Sequence, residues 1–305
     1  MGLPRKKALL LINGFSGTGQ AARSMFEILQ RLTLAGYEIT AYPILPSNGL
    51  SAEDIIQITD VYYDLLVCAG GDGTIHHVVN ELMQHPHRPT LGYIPVGSTN
   101  DFAKGMHLPK TISKACDVIA TGRDFAYDIG CFNDKYFNYI AAFGAFVNVS
   151  FSTDQKLKNA LGHAAYLLNG ISQLPEHVRY SCSMKIETDL GTEEGEYLFG
   201  AVYNTASVGG FPMRGVMQSR LGDGKMELLL IRKPDNILEI PQIANNLLSG
   251  NINSPYITFQ QITRVHMIPD KYTSWTLDGE DGGSPAEISI RVAAAAMKIK
   301  VPFDL

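Results

Sequence analysis

Five consecutive residues, Gly70-Gly71-Asp72-Gly73-Thr74, constrain this chain more than any other stretch. Leu65-Leu66-Val67 before them form an apolar run suited to a short buried strand. Ile75, Val78, Val79 and Leu82 after them recur at helical spacing. A strand ends, three glycines and an aspartate turn the chain, and a helix begins. Gly70, Gly71 and Gly73 let a ligand approach the backbone. Thr74 is expected to cap the helix, with the first helical N–H groups directed at an anion. Asp72 places a carboxylate in this turn, where it can hold a metal–phosphate or accept a proton. The plain alternative is a connecting turn with a solubilising acid. The strand–turn–helix context favours a nucleotide site.

Two more turns share this grammar. Residues 8–12 read as a buried strand, followed by Asn13-Gly14-Phe15-Ser16-Gly17-Thr18-Gly19. Ala22, Met25, Phe26, Leu29 and Leu32 then mark what the spacing predicts to be the inner face of a helix. The turn is neither a Walker A loop nor a dinucleotide fingerprint. Ser16 and Thr18 can donate to phosphate, and Arg23 either assists or lies on a solvated face. Further on, the strand 91–96 enters Gly97-Ser98-Thr99-Asn100-Asp101-Phe102-Ala103-Lys104. Gly97, Ser98 and Thr99 can wrap a phosphate, Asn100 can read a base or hold the loop, and Asp101 supplies a second acid. Ser51-Ala52-Glu53-Asp54 has the form of a capping box. The βαβαβαβ order predicts a parallel sheet with helices on its faces. In such sheets ligands bind beyond the carboxyl ends of the strands, where all three glycine turns fall.

The chain has 305 residues, 45% of them hydrophobic, enough for one large or two ordinary domains with a sizeable core. Its net charge of -5 argues against nonspecific nucleic-acid binding. Cys68, Cys116, Cys131 and Cys182 are scattered and read as buried thiols of a reducing compartment. Arg5-Lys6-Lys7 and the short apolar run after them imitate a leader, but Asn13-Gly14 stops the run. No stretch reaches the length of a membrane span.

Beyond Asp124, β-branched and aromatic residues alternate, with turns at Asn133-Asp134 and Asp189-Leu190-Gly191. Strands are expected at 136–142, 145–151, 181–188, 196–204, 225–232, 257–268, 274–277, 288–292 and 297–301, with helices near 155–173 and 234–248. The expected architecture is an α/β nucleotide-binding domain, 1–124, and a β-sandwich domain, 125–305, with a cleft between them; the last residues can return to the first domain. Asp278 and Glu280 flank Gly279 after a strand and can point the same way, or simply decorate a hairpin tip. Asp223 is a metal ligand or a turn residue. Residues 207–213 form an apolar glycine loop that lines a lipid site or the core. His76 and His77 are expected on a helix surface.

Taken together, 70–74, 97–104 and Leu277-Asp278-Gly279-Glu280 resemble the signatures of the diacylglycerol kinase/sphingosine kinase catalytic family, in its soluble bacterial branch. Asp128-Ile129-Gly130, Tyr136-Phe137-Asn138-Tyr139, residues 162–166, Asn204, Gly209-Gly210 and Asp223-Gly224 follow in the family's order. The resemblance implies an N-terminal fold like that of NAD kinases and phosphofructokinases. It also implies ATP- and Mg²⁺-dependent phosphorylation of a lipid hydroxyl, with diacylglycerol the default acceptor.

By that resemblance Asn13, Ser16, Gly17 and Gly19 form the first phosphate loop, with Arg23 beside it. Gly70, Gly71, Gly73, Thr74, Gly97, Thr99 and Asn100 complete the nucleotide site. Asp72, Asp101 and Glu280 are the catalytic acids, with Glu280 as general base, and Asp72, Asp278 and Asp223 the candidate metal ligands. Gly14 replaces the family's usual proline. Arg220 stands where an acid often helps build a structural Mg²⁺ site, so no tight structural metal is expected there. The implied protein is cytoplasmic and transiently membrane-associated, with Phe211, Pro212, Met213 and the stretch 156–168 as a candidate apolar rim and homodimer formation open. A NAD kinase shares the first motif but requires an Asn-Glu pair where this chain has Asn100-Asp101. A degenerate lipid-binding regulatory module is disfavoured because all three acids are present.

Overall fold

The computed structural model describes residues 6–59, 62–144, 181–205, 207–208, 211–212 and 219–303. The expected strand 145–151, the helix 155–173, the motif 162–166, Gly209-Gly210, Met213 and the rim 156–168 lie outside them. The chain divides into two compact units, Met1–Tyr127 with Ala295–Leu305, and Asp128–Ala294.

In the first unit β1 (Lys6–Ile12), β2 (Tyr37–Pro43), β3 (Leu65–Gly70) and β4 (Thr90–Pro95) form a parallel sheet in the order β2-β1-β3-β4. Ile299, from the end of a later strand, pairs in parallel with Leu91. β1 and β3 are continuous apolar runs because both faces of the sheet are covered. Leu10, Val67 and Ile94 pack with Ile28 and Leu32 on one side of the sequence and Ile112, Ala115 and Ile119 on the other. The connecting helices are α1 (Gln20–Arg23), α2 (Met25–Leu34), α3 (Ala52–Ile58), α4 (Asp72–Leu82), α5 (Asp101–Gly105) and α6 (Ile112–Thr121). The Ser51–Asp54 capping box is present at α3. The chain leaves β1 for β2, then crosses back to β3 on β1's other side. A topological switch point therefore lies between β1 and β3, where ligands of doubly wound sheets bind.

The expected inner face after β1 is corrected. Ala21, Ile28 and Leu32 are buried, whereas Met25 and Phe26 are 45% and 76% exposed. Ser24 ends α1 and starts α2, so one helical phase does not run from Ala22 to Leu32. His76 is buried, with Asn80 beside its ring, while His77 is exposed and pairs with Glu53.

β5 (Arg123–Phe132) crosses the boundary between the units. The second unit is strand-rich and antiparallel. It contains β6 (Lys135–Phe137), β7 (Ile140–Gly144), β8 (Cys182–Thr188), β9 (Gly191–Tyr203), the short β10 (Ser207–Val208) and β11 (Phe211–Pro212), and β12 (Met226–Arg232). After α7 (Ile240–Ser249) come β13 (Ile257–Ile262), β14 (Arg264–Pro269), β15 (Trp275–Leu277), β16 (Glu280–Gly283) and β17 (Ile288–Val301). β9 pairs with β7, β8 and β12, and the core holds Trp275 against Phe132 and Phe143.

Three expected strand boundaries change for identifiable reasons. The run 257–268 breaks at Thr263, whose N–H and hydroxyl both go to Asp189. The run 136–142 breaks at Asn138 and Tyr139, whose N–H groups go to Asp278. The segments 288–292 and 297–301 are one strand, with Ala295 at φ 49 inside it.

Candidate active site

The three glycine turns meet at the carboxyl ends of β1, β3 and β4. Gly17 has φ 57, and a Cβ there would lie 2.2 Å from the Val96 carbonyl oxygen, so the first loop lies directly on the end of β4. A Cβ on Gly97 would lie 2.6 Å from Gly71 Cα, so the second and third loops cross backbone to backbone.

Side chains fix the crossing. Asn13 Nδ2 donates to Thr74 Oγ1 at 2.9 Å, and Ser16 Oγ lies 3.5 Å from the same oxygen. Phe15 N donates to Asn13 Oδ1, which shapes the first loop. The expected cap is corrected here: α4 begins at Asp72 with Gly71 as its N-cap, and Thr74 is a buried tie between the first and second loops. Asn100, at φ 53, accepts from Gly97 N at 2.9 Å and donates to Gly97 O at 2.8 Å, closing the third loop on itself. Thr99 is half-buried in that loop.

The two acids meet across these loops. Asp72 Oδ2 accepts from Asp101 N and Asp72 Oδ1 from Phe102 N, each at 3.1 Å. Asp72 thus caps α5 from another loop, giving that helix's N-terminal N–H groups a charged acceptor. Asp101 is 3% exposed and pairs with Lys104 at 3.2 Å. Tyr93, which the sequence reading passed over, is buried beneath and donates its hydroxyl to Gly70 O at 3.3 Å. Burial, and then the charge of Asp72, push that phenol well above its ordinary pKa. Its signal was an aromatic in an otherwise aliphatic strand run. The Arg23 side chain is exposed and makes no hydrogen bond or ion pair among the described residues.

In the second unit the acidic signature is a tight hairpin. Asp278 and Gly279 have φ 53 and 92 between the paired Leu277 and Glu280, the positive-φ pattern of a type I′ turn. The expectation that Asp278 is a metal ligand is corrected. Its carboxylate, 3% exposed, accepts from Asn138 N at 2.7 Å, Asn138 Nδ2 at 3.2 Å, Tyr139 N at 2.9 Å and Ile140 N at 3.1 Å. These N–H groups take up the acceptor capacity that a cation would need, so Asp278 braces the hairpin. Glu280 follows the turn and is half-buried, its carbonyl accepting from Thr276 Oγ1.

Asp223 is exposed and its Oδ1 accepts from Lys225 N at 3.1 Å, the geometry of a turn residue. Asp128, buried beside this turn, accepts from Gly224 N at 2.7 Å. Among the described residues no cluster of three His, Cys, Asp or Glu has metal-binding spacing.

Residues 7–132 match the family model of the diacylglycerol kinase catalytic domain. A diacylglycerol kinase of Staphylococcus carnosus (strain TM300) is 35% identical over 280 residues, covering 92% of this chain and 90% of that protein. The chain belongs to the diacylglycerol kinase family. A diacylglycerol kinase of Staphylococcus aureus (strain MRSA252) is 34% identical over 282 residues, covering 92% of this chain and 87% of that protein. A crystal structure of a diacylglycerol kinase from Bacillus anthracis str. Sterne shares the fold, with a TM-score of 0.79, 22% identity and 99% of each chain covered. The loops that the family model spans are the three described above. The brace by Asp278, Asn138 and Tyr139 lies beyond the matched segment.

Proposed function

We propose that this protein transfers the γ-phosphoryl group of ATP to the free hydroxyl of diacylglycerol, giving phosphatidic acid. One observation carries the reading: in a chain of this family, three glycine loops cross at the carboxyl ends of adjacent parallel strands, with Asp72 and Asp101 hydrogen-bonded at the crossing. Such transfer is mostly positioning and charge neutralisation, which backbone N–H groups and well-placed carboxylates provide.

Asn13, Ser16, Gly17 and Gly19 hold the phosphates from one side, and Gly70, Gly71, Gly73, Gly97, Thr99 and Asn100 from the other. Thr74 keeps the first loop in register. Oxygen donors such as Asp72 and Asp101 fit a Mg²⁺–triphosphate, and the ion would neutralise charge on the transferring group. Glu280 takes the proton of the acceptor hydroxyl. The lipid oxygen then bonds to the γ-phosphorus as the bond to the bridging oxygen breaks, and ADP leaves. The acceptor is met at a membrane surface; no helix among the described residues is long and apolar enough to cross one.

The test is transfer from labelled ATP with Mg²⁺ to diacylglycerol in mixed micelles, with NAD as a soluble acceptor and Asp72→Ala alongside. A labelled phosphatidic acid lost in the variant is the expected result. Transfer to NAD alone, or none to any lipid, overturns the proposal.

A further inference from the structure

Three large apolar side chains on and just after the first loop face solvent. Phe15, Met25 and Phe26 are 78%, 45% and 76% exposed. Phe15 sits in the first loop, and its neighbour Gly14 packs on α1, where a Cβ would lie 3.5 Å from Ala22 Cβ. The exposed loop residue and the exposed start of α2 thus flank α1, on which the first loop packs. Residues 13–26 contain no Asp or Glu, in a chain of net charge -5. Their one charged residue, Arg23, is exposed and makes no ion pair among the described residues, and the next acid, Glu27, is held by Arg31 at 3.1 Å.

We propose that Phe15, Met25, Phe26 and Arg23 form a membrane-docking surface that takes the interface of an anionic bilayer. The inference rests on the lipid-kinase reading and names where that enzyme meets its lipid. Two large exposed aromatics, an exposed methionine and a cation that makes no ion pair among the described residues suit the headgroup–acyl boundary, where apolar burial and attraction to anionic lipid add. The substrate argues for the same occupant: the acceptor is itself resident in a bilayer, and the product adds an anionic headgroup. A nucleotide alone would use Arg23 but leave three apolar side chains in water.

The experiment is sedimentation of the full chain with vesicles of phosphatidylcholine, with and without phosphatidylglycerol, for the wild type, Met25→Ser/Phe26→Ser and Arg23→Gln. Phosphorylation of a short-chain, water-dispersed diacylglycerol is followed in parallel. Each apolar side chain removed should lower vesicle partitioning by about tenfold. Arg23→Gln should abolish the preference for phosphatidylglycerol vesicles. Activity on the short-chain acceptor and KM for ATP should stay at wild-type values in both variants.

Equal partitioning of the double variant and wild type overturns the proposal. So does a raised KM for ATP in Arg23→Gln with unchanged vesicle binding, which would place Arg23 with the nucleotide. A concentration-dependent dimer of the wild type that the double variant loses, with no vesicle binding by either, would assign the surface to a second copy. Loss of activity on the short-chain acceptor in the wild type itself would defeat the kinase reading instead, so the two failures are distinguishable.

Discussion

Asp72 Oδ2 accepts the backbone N–H of Asp101 at 3.1 Å, so the aspartate of one glycine turn orients the acid of the next. Asp72→Ala should therefore act twice. It removes a carboxylate from the proposed phosphate site and leaves the start of α5 uncapped. Transfer should fall by more than about a thousandfold, and stability by about 1–2 kcal/mol, the usual value of a helix cap. Asp72→Asn retains one acceptor oxygen and should lose comparable activity but less stability. Micelle assays and urea unfolding midpoints separate the two effects.

Gly97→Ala tests the backbone crossing. The new Cβ would meet Gly71 Cα at 2.6 Å and Asn100 Oδ1 at 2.8 Å, so the second and third loops must part. A displacement of several tenths of an ångström at a positioning site should lower kcat by about a hundredfold. Circular dichroism should remain that of the wild type, because the strands below are untouched. Wild-type turnover would show that the crossing is not needed.

Asp278→Ala should destabilise the second unit more than it alters nucleotide affinity. It leaves the buried N–H groups of Asn138, Tyr139 and Ile140 without their carboxylate, at a cost of about 3 kcal/mol or more. Asp278→Asn tolerates the positive φ and keeps one acceptor, so its loss should be smaller. Thermal melts with and without ATP provide the comparison.

Glu227 lies on β12, 1% exposed, with Gln261 Nε2 donating to Oε1 at 3.2 Å and, among the described residues, no hydrogen-bond partner on Oε2. Burial pushes its carboxyl above the usual value of 4.5. The folded state then binds the proton more tightly than the unfolded chain, so this group's contribution to stability is full below 4.5 and lost as pH rises through the folded pKa. Glu227→Gln removes that loss. Its Tm relative to wild type should increase between about pH 5 and about pH 8, since a neutral amide carries no buried charge. A constant difference would mean that the carboxyl does not titrate differently on folding.

The glycine turns of the first unit could be read from sequence because each requirement is local. An apolar run, glycines where backbones must approach, and helical spacing afterwards all lie within about twenty residues, and parallel βαβ order sends such turns to one end of a sheet. What local pattern could not assign was partnership. Thr74 has the composition of a cap, but Asn13, 61 residues away, makes it a tie. Asp278 has the composition of a metal ligand, but the N–H groups of 138–140 make it a brace. Met25 and Phe26 have the spacing of a core face, and the break at Ser24 turns them outward. The sequence by itself determined the strand–turn–helix units and the acids they carry, since near neighbours and backbone geometry decide those. Only the tertiary structure decided which groups satisfy which, because a buried donor or acceptor must be met by whatever the fold brings beside it.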